Sequence, residues 1–332
     1  MTDTLNTPPL AAHDSGITLR PWRGLEDIPG MAAANQRLRD RAGVLEPIDV
    51  DRMTHRYTHL VNSDPALDCL VAERDGVTVG YVRTEWHDLV DGDRILDITL
   101  LAEPSTWGTG AAEAMLDWAE AHLREQAAQI PGDRRTWFST SAFGGDDGQA
   151  AALESRGFAA VRWGAEMLRP DLEGIAEVPL AEGYALRSPT EAELPAVFAM
   201  AVEAFAEHWG ESEAEEQRLD QWTDDPAFRL DLVVVAWKGD EPAAAVTNLL
   251  DTLDDGSVRG LLDSVCTGVR HRRLGLARAA ITESLRRLRA VGATSAYLGV
   301  DTGNHNQALT LYESCGFRVA SRDTSYRKPF AP

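Results

Sequence analysis

Residues 269–280, VRHRRLGLARAA, gather Arg270, His271, Arg272, Arg273 and Arg278 into one short stretch of a chain whose formal net charge is -21. From Leu276 onward, Ile281, Leu285 and Leu288 recur at helical spacing until Gly292 supplies a stop signal, so the arginines crowd a predicted helix start. A helix start carries about half a positive charge and several unpaired backbone N–H groups. Cations belong at the other end, where Arg286, Arg287 and Arg289 lie. The arrangement asks for an anionic ligand among the arginines. The competing reading is a solvated basic patch, or surface pairing with the abundant Asp and Glu.

The elements that position this stretch follow from length and pattern. At 332 residues with 44% apolar content, the chain suits two domains of ordinary size. No run reaches the ~20 apolar residues of a bilayer span, and LDLVVVAW (residues 230–237) reads as a buried strand. The first sixteen residues lack the basic-then-apolar pattern of a signal peptide and read as a flexible tail, so a cytoplasmic protein is expected. Cys69, Cys266 and Cys315 are odd in number and widely spaced, which fits reduced thiols and gives no metal-ligand pattern. The acidic balance argues against nucleic acid or a membrane surface as partner and is compatible with a cationic substrate.

An internal repeat organises the rest. Residues 17–31 resemble 184–198, each a strand leading into an acidic helix start, and the strand-turn-strand of 70–82 has its partner at 234–246. PSTWGTGAAEAML (104–116) corresponds to VRHRRLGLARAAI (269–281), and LESRGFAAV (153–161) to YESCGFRVA (312–320). Four matches in the same order, about 160 residues apart, describe two copies of one domain. The reading is a tail over 1–16, a first domain over 17–170, a Pro- and Glu-containing linker over 171–183, and a second domain over 184–332. Each copy runs strand, helices, hairpin, strand, helix, strand, helix, strand: an α/β fold on a mixed sheet.

Two segments carry a resemblance. Arg272-Arg273-Leu274-Gly275-Leu276-Ala277 fits the pattern (Q/R)-x-x-G-x-(G/A), and LGVDTGNHNQALTLYESCGF fits a fifth strand followed by A-x-x-L-Y-E-x-x-G-F, with Ala308, Leu311, Tyr312, Gly316 and Phe317 in place. The chain thereby resembles the acetyl-CoA-dependent N-acetyltransferases of the GNAT superfamily, in tandem as in the mycothiol-synthase-like members. AFAEHWG (204–210) is similar to a stretch of tandem members between the first two helices of the second domain. The likeness spans nearly the whole chain and is strong in the C-terminal half.

The resemblance implies acetyl-CoA as cosubstrate and a small-molecule amine as acceptor, with Arg272, Arg273, Leu274, Gly275, Leu276, Ala277 and Arg278 at the phosphates. An alkylamine of pKa about 10.4 costs about 4.6 kcal/mol to hold neutral at pH 7, so a base is needed. Asp263 is the first choice, two residues before Val265 on the fourth strand and so on its face; an ion pair on the surface is the competing role. Glu207 and His208, beside Trp209, are the alternatives and mark a substrate-binding segment. The family pattern implies a backbone donor at Val265 or Cys266, with Thr267 continuing along the pantetheine arm, Tyr312 as proton donor to the leaving thiol, and Asn304 or Asn306 on the cofactor.

In the first copy Trp107 stands at the position of Arg272, Glu113 and Asp117 replace cations at the helix start, and Leu153 stands at the position of Tyr312. That copy reads as degenerate, and the second as catalytic. Three functions remain open here: acetylation of a small-molecule primary amine, acetylation of a cysteinyl amine as in mycothiol synthesis, and non-catalytic acyl-CoA binding. The chain is expected to be a monomer or a homodimer.

Overall fold

A computed structural model describes residues 16–205, 223, 227–253, 255–303 and 308–330. Its contacts divide into two compact units. The first takes in the chain up to Ala42, Ile48–Val161 and the C-terminal residues from Thr324; the second takes in Gly43–Pro47 and Arg162–Asp323.

In the first unit the strands are β1 (Ile17–Pro21), β2 (Cys69–Arg74), β3 (Val77–Asp88), β4 (Arg94–Ala102) and β5 (Thr136–Phe143), in that spatial order, followed by the C-terminal part of β12 (Arg318–Pro329). Strands β1 to β4 are antiparallel and β4 runs parallel to β5. The helices are α1 (Ile28–Ala42), α2 (Val50–Thr58), α3 (Pro65–Asp68), α4 (Ala111–Ala127) and α5 (Asp147–Ser155). The buried faces of Leu96, Ile98 and Leu100 meet Met115, Leu116 and Leu123 of α4, with Tyr326 of β12 closing the same core.

The second unit repeats the plan. Strands β7 (Ala185–Arg187), β8 (Val234–Lys238), β9 (Glu241–Thr252), β10 (Val258–Thr267) and β11 (Ala293–Asp301) lie in that order, and β6 (Ala159–Arg169) follows antiparallel to β11. Among the described residues its helices include α6 (Leu194–Phe205), α7 (Leu276–Ala290) and α8 (Ala308–Ser314). As the spacing predicts, Ile281, Leu285 and Leu288 of α7 are fully buried, and the chain leaves the helix at Gly292 with φ 96°.

These units are not the contiguous domains expected from the linker. The sixth strand of the first unit comes from the end of the chain, and that of the second from the last strand of the first sequence repeat. Hydrophobic patterning marks a strand but not its neighbour, because pairing is decided by non-local register. The expected linker is also anchored within the second unit. Leu172 is buried, Arg169 donates to the carbonyls of Asp171 and Glu173, and Arg286 donates to that of Ala176.

One buried polar knot fixes the entry to α1. The Asp27 carboxylate accepts from both terminal nitrogens of Arg20 (2.8 and 2.7 Å) and from the Arg23 amide (2.7 Å). Burial alone would raise its pKa, but these donors, Arg20 foremost, hold it below the usual carboxylate range. A carboxyl depressed in the folded state contributes stability above the unfolded value of about 3.9 and loses it as pH falls through the folded value. Urea midpoints of the wild type are therefore expected to drop below about pH 4, and Asp27→Asn is expected to lower the plateau and flatten that drop.

Candidate active site

Strands β10 and β11 pair from Val258 against Ala293 to Leu261 against Tyr297, and their ladder ends there although both strands continue. The gap that opens is lined on one side by the end of β10. Its ladder to β9 is interrupted between Leu262 and Ser264, so Asp263 is an extra residue on β10. Asp263 is exposed at this bulge. The expectation that it shares a face with Val265 assumed unbroken alternation and does not survive the bulge: Leu262 and Val265, three residues apart, pack in the same core.

Beyond the bulge the register is regular, and the Gly268 amide donates to the Ala243 carbonyl of β9 at 2.9 Å. Alternation then directs the Cys266 amide to β9 and turns those of Val265 and Thr267 towards the gap. Cys266 itself is buried against α6, and burial pushes its thiol up to about 12, which suits a packing residue.

At the mouth of the gap the chain turns into α7. Arg273 (φ 67°) and Gly275 (φ 75°) both take left-handed backbone, and Gly275 is the N-cap, with no side chain capping the helix. Among the described residues, nothing lies within 4 Å of the position a Cβ on Gly275 would take, and the N–H groups of the helix start have no side-chain cap. By contrast α2, α3 and α5 are capped by Asp49, Asp64 and Asp146.

The cations around this turn divide by role. Arg270 pairs with Glu241 at 2.7 Å, and buried His271 lies between Glu241 and the Tyr184 hydroxyl, so these two fasten the loop to the β8–β9 hairpin. Arg272 is half-buried and reaches the Ala204 carbonyl at 3.3 Å. Arg273 and Leu274 are exposed, and Arg278, on the first turn of α7, reaches the Ser314 hydroxyl at 2.9 Å. The Leu276 side chain is buried against Ala236, Ala243 and Ala244, so only its backbone faces the turn, and Ala277 keeps the helix start small.

Tyr312 of α8 is buried edge-on to Phe317, and burial, with Cys315 and Cys266 nearby, pushes its phenol up to about 12. Asn304, Asn306, Glu207, His208 and Trp209 lie outside the described residues.

A family model for the acetyltransferase (GNAT) family matches residues 34–136 and 194–317. The chain belongs to this family. The mycothiol acetyltransferase of Streptomyces scabiei (strain 87.22) is 29% identical over 255 residues, covering 75% of this chain and 76% of that protein. A GCN5-related N-acetyltransferase from Sphaerobacter thermophilus superposes with a TM-score of 0.73 at 18% identity, over 96% of this chain and 97% of that one. A tandem GNAT protein from the clavulanic acid biosynthesis pathway gives 0.69 at 17%, over 95% and 99%. These two likenesses show the fold.

The protein is thus a tandem GNAT acyltransferase, of a family that uses acetyl-CoA. The second unit fits that cosubstrate on its own observations: an uncapped helix start, open space over Gly275, arginines at the turn and a gap between β10 and β11.

The first GNAT unit keeps the backbone and reverses the charge at the turn. Its β4–β5 ladder ends at Ile98 against Thr140, and Gly108 (φ 72°) and Gly110 (φ 88°) repeat the left-handed positions of Arg273 and Gly275. At the position of Arg278 stands Glu113, whose carboxylate accepts from the Gly108 amide at 2.9 Å and so takes an anion's place. No bulge interrupts the β3–β4 ladder. The buried amide of Gln149 donates to the carbonyls of Ser141 (3.0 Å) and Leu100 (3.5 Å), bridging both splayed strands where the aligned residue of the second unit is Ala308. Sequence reasoning missed Gln149, although extending the LESRGF/YESCGF match four residues back pairs it with Ala308.

Proposed function

We propose that the second unit transfers acetyl from acetyl-CoA to a primary amine of a small molecule by direct attack, and that the first unit performs no transfer. The observation that carries this is one turn geometry with opposite contents: both helices start at a left-handed glycine without a side-chain cap, but Glu113 accepts from its own loop amide in the first unit and Arg278 stands at that position in the second.

The cosubstrate supplies an acetyl thioester whose carbonyl the amine attacks. Gly275 and the following amides hold the diphosphate, with Arg272, Arg273 and Arg278 neutralising it. The Val265 N–H, rather than that of Cys266, is the donor to the carbonyl oxygen as charge develops there, and Thr267 continues the contact along the arm. Asp263, extruded at the bulge, takes the ammonium proton, directly or through water. Tyr312 keeps its proton at every working pH and presents it to the departing sulfur. Full transfer from a phenol at about 12 to a thiolate of ordinary pKa near 8.5 is uphill by on the order of 5 kcal/mol. Tyr312 therefore acts as a hydrogen-bond donor, and the sulfur's final proton comes from solvent.

The relative named for mycothiol places a cysteinyl amine of that type on the acceptor panel beside simple amines. Calorimetric titration of acetyl-CoA tests the assignment of the working unit. One site per chain is expected, lost on Gly275→Val, which strains a left-handed position and fills the space above it, and retained on Glu113→Gln. Two sites, or one indifferent to Gly275→Val, would move the chemistry to the first unit.

A further inference from the structure

In the first unit Glu113 occupies a loop amide at the turn, and the space between its splayed strands persists. A cavity of about 270 Å³ lies there. Its polar lining is Asp97 and Thr99 of β4, Ser139, Thr140 and Ser141 of β5, Gln149 of α5 and Ser325 of β12, with the Thr140 hydroxyl donating to the Ile98 carbonyl. The volume falls below the ~300–1,000 Å³ of pockets for drug-sized ligands and suits an amino acid, an amino sugar or a short amino alcohol.

The lining also selects by charge. Asp97 stands opposite Ser139 in the parallel register, one pair before the ladder ends, and the Ser139 hydroxyl donates to its carboxylate. Its cross-strand neighbour is Glu85, which engages Arg83 in two hydrogen bonds of 2.6 and 3.2 Å. An anion would meet Asp97 inside and Glu113 at the turn. A pantetheine arm would meet the Gln149 amide bridging the strands. A cation with hydroxyl groups meets a carboxylate and the hydroxyls of Thr99, Ser139, Ser141 and Ser325.

We propose that this cavity binds a small primary ammonium ligand bearing hydroxyl groups, with Asp97 as the counter-charge and Thr99, Ser139 and Ser141 reading the hydroxyls. The proposal rests on the reading that the first unit transfers no acetyl, which the acetyl-CoA titration of Gly275→Val tests separately.

Binding also carries a pH signature. Burial, then Glu85, pushes the Asp97 carboxyl up to about 7, with Ser139, Arg83 and Arg327 pulling the other way. An ammonium ligand needs the ionised form, so its affinity rises about tenfold per pH unit below about pH 7, levels off above it and falls again once the ligand's own ammonium loses its proton.

The test is calorimetric titration of the full-length protein with glucosamine and ethanolamine, with glucose and ethylene glycol as uncharged controls. Saturable binding of at least one ammonium probe is expected, weakened at least tenfold in Asp97→Asn, with acetyl-CoA affinity unchanged as the check on folding. Should Asp97→Asn fail to fold, Ser139→Ala carries the test, with a severalfold weakening expected. The proposal is overturned by no saturable heat with either ammonium probe, by equal binding of the uncharged controls, or by an affinity indifferent to both substitutions.

Discussion

Replacing Tyr312 with Phe is expected to lower kcat by roughly 10²-fold while leaving the Kd for acetyl-CoA within about threefold. The ring is buried against Phe317 and packs identically in the variant, so only the hydroxyl is lost. A hydrogen bond to a charged group contributes about 1.5–3 kcal/mol, which converts to a loss of about 10- to 150-fold. Since burial raises the phenol to about 12, the wild type should show no falling limb in its kcat–pH profile up to pH 10 that disappears in the variant. A variant with undiminished kcat would remove Tyr312 from the reaction. A falling limb near pH 10, present only in the wild type, would mean that the phenol ionises during turnover and does not serve as a simple donor.

The second large effect comes from copying the first unit's chemistry into the second. Arg278→Glu places a carboxylate on the first turn of α7, as Glu113 stands on the first turn of α4. Acetyl-CoA affinity should fall roughly 10²-fold, because one charge-assisted contact is lost and a repulsion takes its place at the turn. The free protein should gain stability by about 0.3–1 kcal/mol, since an acidic residue near a helix start complements the dipole. A higher Tm without ligand together with a weaker Kd is the signature of a helix start kept open for an anion at some cost in stability. A lower Tm and an unchanged Kd would return Arg278 to a structural role, holding Ser314.

Several features follow from the sequence alone because they depend on local spacing. The helix over Leu276–Ala290, the glycine at its start, the two-copy plan and the charge reversal between Arg278 and Glu113 all come from residues within one turn or one repeat of each other. So does the family, whose motif is a loop that binds through its own backbone. Tertiary structure alone decided that Arg270 is committed to Glu241 while Arg272, also touching the Ala204 carbonyl, Arg273 and Arg278 stay at the turn. It placed the bulge that moves Asp263 off the expected face, and it turned the Val265 amide into the gap. It also gave the C-terminal part of the chain's last strand to the first unit and most of the last strand of the first repeat to the second. The physical reason is common to all three: register, strand pairing and side-chain partners are set between segments far apart in sequence, where a one-residue shift inverts every face and leaves the local pattern unchanged.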